Sequence, residues 1–223
     1  MKVLLIIDMQ NDFCPGGALG VQEADNIIPI INKLMVEGGY NHILASKDWH
    51  PQDHCSFNHW PIHCVQNTYG AEFVPGLQTD LIEKVFYKGT NINVDSYSAV
   101  IDNEKVQSTG LIEYLTELSL KNTETLQDCE IHVVGLALDY CVKFSAIDIA
   151  ESGIDVSVVY DATKPVNLDQ GDIDTFRLSD EQKALQDLKT SGVRILTTKD
   201  ILRTNIEHPI ESRPLDRKIQ LSC

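Results

Sequence analysis

Residues 131–144 read IHVVGLALDYCVKF, and this stretch decides the fold. Ile131, Val133 and Val134 lie in a β-branched apolar run of strand length. Gly135 ends it, and the chain turns through residues 136–139. From Val142 onward, Val142, Ala146, Ile149 and Ala150 recur at helical spacing until Gly153. Cys141 therefore stands where a strand hands over to a helix, above a sheet edge. The free N–H groups of a first helical turn there favour a thiolate over a thiol. The plain alternative is a small buried hydrophobe, a common setting for a free cysteine.

Working outward, residues 3–7 form a continuous apolar run, the mark of a strand covered on both faces, and Asp8 ends it. A glycine-bearing loop over 11–20 precedes a helix over 24–37, with Pro29 tolerated in its first turn. Further strands are expected at 42–46, 85–87, 156–160 and 193–196. Further helices are expected at 77–83, 111–120 and 179–191, the last opened by Ser179 and Gln182 at capping-box spacing. The tail from Arg203 offers no strong element. This alternation predicts an α/β fold: a doubly wound, mainly parallel sheet with helices on both faces. Ligands of such sheets bind beyond the carboxyl ends of the strands.

A length of 223 residues suits a single domain over 1–223, with a loop insertion at about 47–75 and a charged tail at about 203–223. A formal charge of −15, from 18 basic and 33 acidic residues, argues against nucleic-acid binding and against attraction to anionic membrane. No apolar run reaches the roughly 18 residues of a spanning helix. The chain enters a strand at once, which does not read as a signal peptide. Six scattered cysteines (14, 55, 64, 129, 141 and 223) in a chain of this size point to reduced thiols in the cytoplasm.

Asp8, Lys88 and Cys141 each stand at or just past an apolar strand and should meet at one sheet edge. A carboxylate can take a thiol proton, an ammonium can stabilise a thiolate, and sulfur can attack a carbonyl. Singly, Asp8 could be a turn residue and Lys88 a surface lysine. A second constellation follows the next strand. Asp48 and His50 are trailed by His54, His59 and His63, so that four of the seven histidines fall within residues 50–63. A carboxylate with two imidazoles suits Zn, Fe or Mn; the alternative is a polar loop with solvated histidines.

The blocks IIDMQNDFCPGGALGV (6–21), KDWHPQDHCSF (47–57), WPIHCVQNTYGAEF (60–73), FYKGT (86–90), DSYSA (95–99), VVGLALDYCV (133–142) and DAT (161–163) resemble the nicotinamidase branch of the isochorismatase-like cysteine hydrolases. The resemblance implies an amidohydrolase that converts nicotinamide to nicotinate and ammonia. It implies Cys141 as nucleophile, Asp8 as general base and Lys88 as their electrostatic partner. Asp48, His50 and His63 would ligate one divalent metal, zinc before iron or manganese, with His54 a further candidate because relatives differ at that position. The N–H groups of Ala137 and Cys141 would form the oxyanion hole beside a cis Leu136–Ala137 peptide. Phe13, Trp60 and Tyr97 would line the pyridine pocket, and the protein would self-associate. Asn67, Leu138 and Tyr140 depart from the common family pattern. Two alternatives are a related hydrolase with another small amide substrate and a catalytically silent metal-binding protein. The metal-type loop counts against the first, the three-residue set against the second.

Overall fold

The computed structural model describes residues 1–172 and 177–207. Six strands, β1 (Lys2–Ile7), β2 (His42–Asp48), β3 (Lys84–Lys88), β4 (Glu130–Leu136), β5 (Asp155–Lys164) and β6 (Arg194–Leu196), form one sheet in the order β3-β2-β1-β4-β5-β6. Every pairing is parallel. The helices are α1 (Ile28–Glu37), α2 (Leu111–Lys121), α3 (Lys143–Glu151), α4 (Asp180–Thr190) and α5 (Thr198–Glu207). Side chains alternate along β1, and that alternation divides the core. Val3, Leu5 and Ile7 pack with residues of α2, α3 and α4 on one face. Leu4 and Ile6 pack with residues of α1 and α5 on the other. The doubly wound architecture expected from the alternation of elements is the one observed.

The strand order reverses between β1 and β4, which places the switch point of the sheet between Asp8 and the turn that leads to Cys141. Gly135 makes that approach possible. Its φ is +107°, and a Cβ there would sit 2.1 Å from the Ile7 carbonyl oxygen.

Several local expectations are corrected. Residues 77–83 form only a 3₁₀ turn, Thr79–Leu81. The Glu83 N–H, which a helix would return to the Thr79 carbonyl, goes instead to the Ile43 carbonyl and draws the chain into β3. The first helix opens with a 3₁₀ turn, Ala24–Ile27, before α1 takes Pro29 into its first turn. Strand β5 runs beyond Asp161 to Lys164 across a register shift against β4. The tail is helical as far as Glu207, since α5 is anchored by buried Ile201 and its first N–H is accepted by Asp161. The remaining tail and Cys223 lie outside the described residues. Among the described residues no helix is long and apolar enough to cross a membrane.

Candidate active site

Asp8 follows β1 in a left-handed conformation (φ 45°) and is fully buried. Its Oδ1 accepts the Ser46 hydroxyl at 2.6 Å, and its Oδ2 lies 2.8 Å from Lys88 Nζ. Lys88 closes the edge strand β3, and its long stem carries the ammonium past the end of β2 into the middle of the sheet. There Nζ meets Asp48 Oδ1 at 2.5 Å, donates to the Ser96 carbonyl at 3.1 Å and reaches Cys141 Sγ at 3.4 Å. Asp8, Lys88 and Cys141 thus come together from β1, β3 and the turn after β4.

Cys141 does not open an α-helix directly. It lies in a π-helical turn, Leu138–Val142, that feeds α3, and the peptide before that turn, Leu136–Ala137, is cis. The thiolate expected from a helix N-terminus is reversed at rest. Burial pushes the Cys141 thiol well above its ordinary pKa; Lys88 opposes this, while Asp8 and Asp48 add to it. Burial likewise raises the Asp8 carboxyl against the pull of Lys88. Lys88 itself would be lowered by burial, but Asp48 and Asp8 outweigh this and hold its pKa well above the usual lysine value. The cluster therefore stores a thiol proton next to a carboxylate able to receive it.

Asp48 belongs to both constellations. Its Oδ2 is 3.5 Å from His50 Nε2 and 3.8 Å from His63 Nε2. His50 Nδ1 is 2.9 Å from the Gly89 carbonyl and His63 Nδ1 is 2.7 Å from the Pro61 carbonyl. A carbonyl only accepts, so each Nδ1 carries the hydrogen and each Nε2 of the neutral ring presents a lone pair. His50 Nε2 is buried without a hydrogen-bond partner among the described residues. Three electron-rich atoms facing one another in a buried pocket fit a cation between them, and the donor set of two imidazoles and a carboxylate suits a divalent transition metal. The negative neighbour acts on the protons too. Burial would lower the His50 pKa, but Asp48 overrides it and raises it, whereas at His63 burial prevails and the pKa falls. Asp48, buried between Lys88 and the imidazoles, stays below the usual carboxylate range.

His54 is close to this group without joining it in the same way. Its ring stacks on His50 with centroids 4.0 Å apart, and its nitrogens face Ser56 and the Val94 carbonyl. His50, His54 and Asp95 also bring ligand-type atoms within 4.8 Å of one another.

Beside the cluster opens a cleft of about 480 Å³ including its mouth, with Cys141, Asp48 and His63 in its wall. Phe13, Trp60 and Tyr97 line it, as does Ala137. The Trp60 indole N–H donates to the Tyr97 hydroxyl at 3.2 Å, joining two loops across the cleft. Leu19, Val21, Asp95, Tyr140 and Val166 also line it; none was named from sequence as a lining residue, although Tyr140 stood out there as a departure from the family pattern. Two supporting residues also escaped the sequence reading. Ser46 donates to Asp8, and buried Gln10 clamps the backbone of Asp48, donating to its carbonyl and accepting its N–H, both at 2.8 Å. Gln10 lies within the 6–21 block and Ser46 directly before the 47–57 block, but nothing in residue type or spacing distinguishes either from structural neighbours.

Residues 2–200 match the family model described as the isochorismatase domain. The chain is 36% identical over 220 residues to a nicotinamidase of Escherichia coli, covering 89% of this chain and 96% of that protein. Among solved structures, PnC1 of L. infantum in complex with nicotinate superposes with a TM-score of 0.76 at 34% identity, covering 89% of this chain and 93% of that one. The pyrazinamidase of Pyrococcus horikoshii in complex with zinc gives a TM-score of 0.68 at 35% identity over 88% of this chain and 98% of that one. With a parallel sheet whose switch point gathers an aspartate, a lysine and a cysteine, the chain belongs to the isochorismatase-like hydrolase family, within the branch that holds the nicotinamidases.

Proposed function

We propose that the protein hydrolyses nicotinamide to nicotinate and ammonia through a thioester on Cys141. One observation carries this reading. The buried Lys88 ammonium touches Asp8, Asp48 and Cys141 at once, tying a nucleophile and base to a metal-type ligand set beside an aromatic cleft. The substrate choice is supported by the names of relatives: a nicotinamidase in E. coli and a nicotinate complex in L. infantum.

Asp8 takes the thiol proton, which its raised pKa equips it to hold. Lys88 stabilises the thiolate as sulfur attacks the carboxamide carbon. The N–H groups of Ala137 and Cys141 receive the oxyanion. Asp8 returns the proton to the departing ammonia, then draws a proton from water as that water opens the thioester. Asp48, His50 and His63 would hold a divalent cation, which would supply an anchor for the pyridine nitrogen; zinc, bound in the P. horikoshii relative, suits the donor set. Phe13, Trp60 and Tyr97 line the cleft and give the pyridine ring an aromatic surround.

Ammonia release from nicotinamide tests the reading. Activity should fall on chelation and return on adding Zn²⁺. Cys141→Ala should lose at least about 1,000-fold in rate while still binding nicotinamide by calorimetry. A wild-type protein that releases no ammonia from nicotinamide would overturn the assignment. Self-association as a homo-oligomer and a cytoplasmic location belong to the same proposal. The location is supported by the free state of Cys14, Cys55, Cys64, Cys129 and Cys141, and sedimentation reads the assembly.

A further inference from the structure

We propose that His54 is a positioning residue that fixes the ring of His50, and that it is not a fourth protein ligand of the metal; the inference rests on the metal reading given above.

A histidine binds a cation through a lone pair in the plane of its ring, directed at the ion. Both in-plane positions of His54 are already engaged. Nδ1 accepts the Ser56 N–H at 3.3 Å and lies 2.7 Å from the Ser56 hydroxyl oxygen, so that His54 serves as the N-cap of the 3₁₀ turn Cys55–Asn58. Nε2 lies 3.3 Å from the Val94 carbonyl. That oxygen has no hydrogen to give, so Nε2 carries one in either protonation state. His50 and His63 do the opposite, giving Nδ1–H to a carbonyl and turning a bare Nε2 toward Asp48.

Ring orientation leads to the same conclusion. His54 and His50 are nearly parallel, 16° apart, with centroids separated by 4.0 Å. In-plane vectors from parallel stacked rings run side by side and do not meet at one ion. His50 and His63, at 82°, have planes that do cross. The group formed by His50, His54 and Asp95 is therefore a near neighbour of the metal set and not an alternative to it, because His54 has no free lone pair to contribute.

The stack confines His50 from one side. On another side Gly89 leaves room for the ring: a Cβ there would lie 2.4 Å from His50 Cε1. Phe57 meets both rings edge-on, at 5.7 Å and 5.9 Å. His50 thus keeps Nε2 aimed at Asp48 through packing as well as through its bond to Gly89. A cation held by three protein side chains keeps more positions open to solvent and substrate than one held by four.

The test is titration of chelator-stripped protein with Co²⁺, read by its visible absorption. The wild type should bind one equivalent. His54→Phe keeps an aromatic face and has no lone pair, and should bind within about threefold of wild type with the same bands. His54→Asn keeps a good N-cap and removes the stack, and should weaken binding about 10- to 100-fold while reaching the same bands at saturation. Loss of binding or shifted bands in His54→Phe would make His54 a ligand and overturn the proposal. Wild-type affinity in both variants would overturn the positioning role. Histidine ¹⁵N spectra of the wild-type protein read the same point without substitution. Added Zn²⁺ should move Nε2 of His50 and His63 and leave both nitrogens of His54 in place, whereas a large shift at His54 would overturn the proposal. Failure of the wild type to bind either ion would instead remove the metal reading beneath it.

Discussion

Lys88 holds two carboxylates together that would otherwise repel each other in a site closed to water. Asp8 and Asp48 are both buried, and each meets the same ammonium within 2.8 Å. Removing the cation leaves uncompensated negative charge where water cannot screen it. Lys88→Met should therefore lower unfolding stability in urea by about 3–5 kcal/mol as well as abolish ammonia release. Ser46 acts more locally, occupying Asp8 Oδ1 so that Oδ2 is left for Lys88 and the thiol. At this scale the types of the reacting residues were legible and their protonation was not. A cysteine near a helix start looks like a thiolate in sequence. Its burial, and the acids packed around it, hold the proton on instead.

The strands deliver these residues with little tolerance for change. β1 and β4 run so close at their ends that Gly135 has the Ile7 backbone where a side chain would be. Gly135→Ala should destabilise the fold by more than about 2 kcal/mol in chemical denaturation, because a backbone clash and a positive φ act together. The ends of β1 and β3 were legible because each apolar run stops at a residue of different character, whereas β4 runs through Gly135, read as its end, to Leu136. The π-turn at Leu138–Val142 was not legible, since no propensity separates it from an ordinary first helical turn. Helix α5 was also missed. Its supports, Asp161 accepting the Thr198 N–H and Ile201 buried against the α1 side of the sheet, come from contacts far along the chain.

For the whole molecule, acid stability should depend in part on the end of the sheet away from the cleft. Glu130 at the start of β4 is bonded to His132 at 3.1 Å, and this hydrogen bond lowers its carboxyl pKa to about 2. A carboxylate with a depressed folded pKa adds stability above its unfolded value, near 4.3, and that contribution fades as pH falls toward about 2. Glu130→Gln should therefore show a shallower loss of melting temperature between those limits than the wild type. The sequence by itself determined the alternation of strands and helices, the two faces of the sheet, and which chemical groups stand at the strand ends. Those features follow from side-chain periodicity and turn chemistry, which act between near neighbours in the chain. Only the tertiary structure decided that Asp48 serves both clusters, that Gln10 and Ser46 hold the acids in place, and that His54 lies flat on His50. Those outcomes depend on through-space distance and on the removal of water, and neither is written in the spacing of residues along the chain.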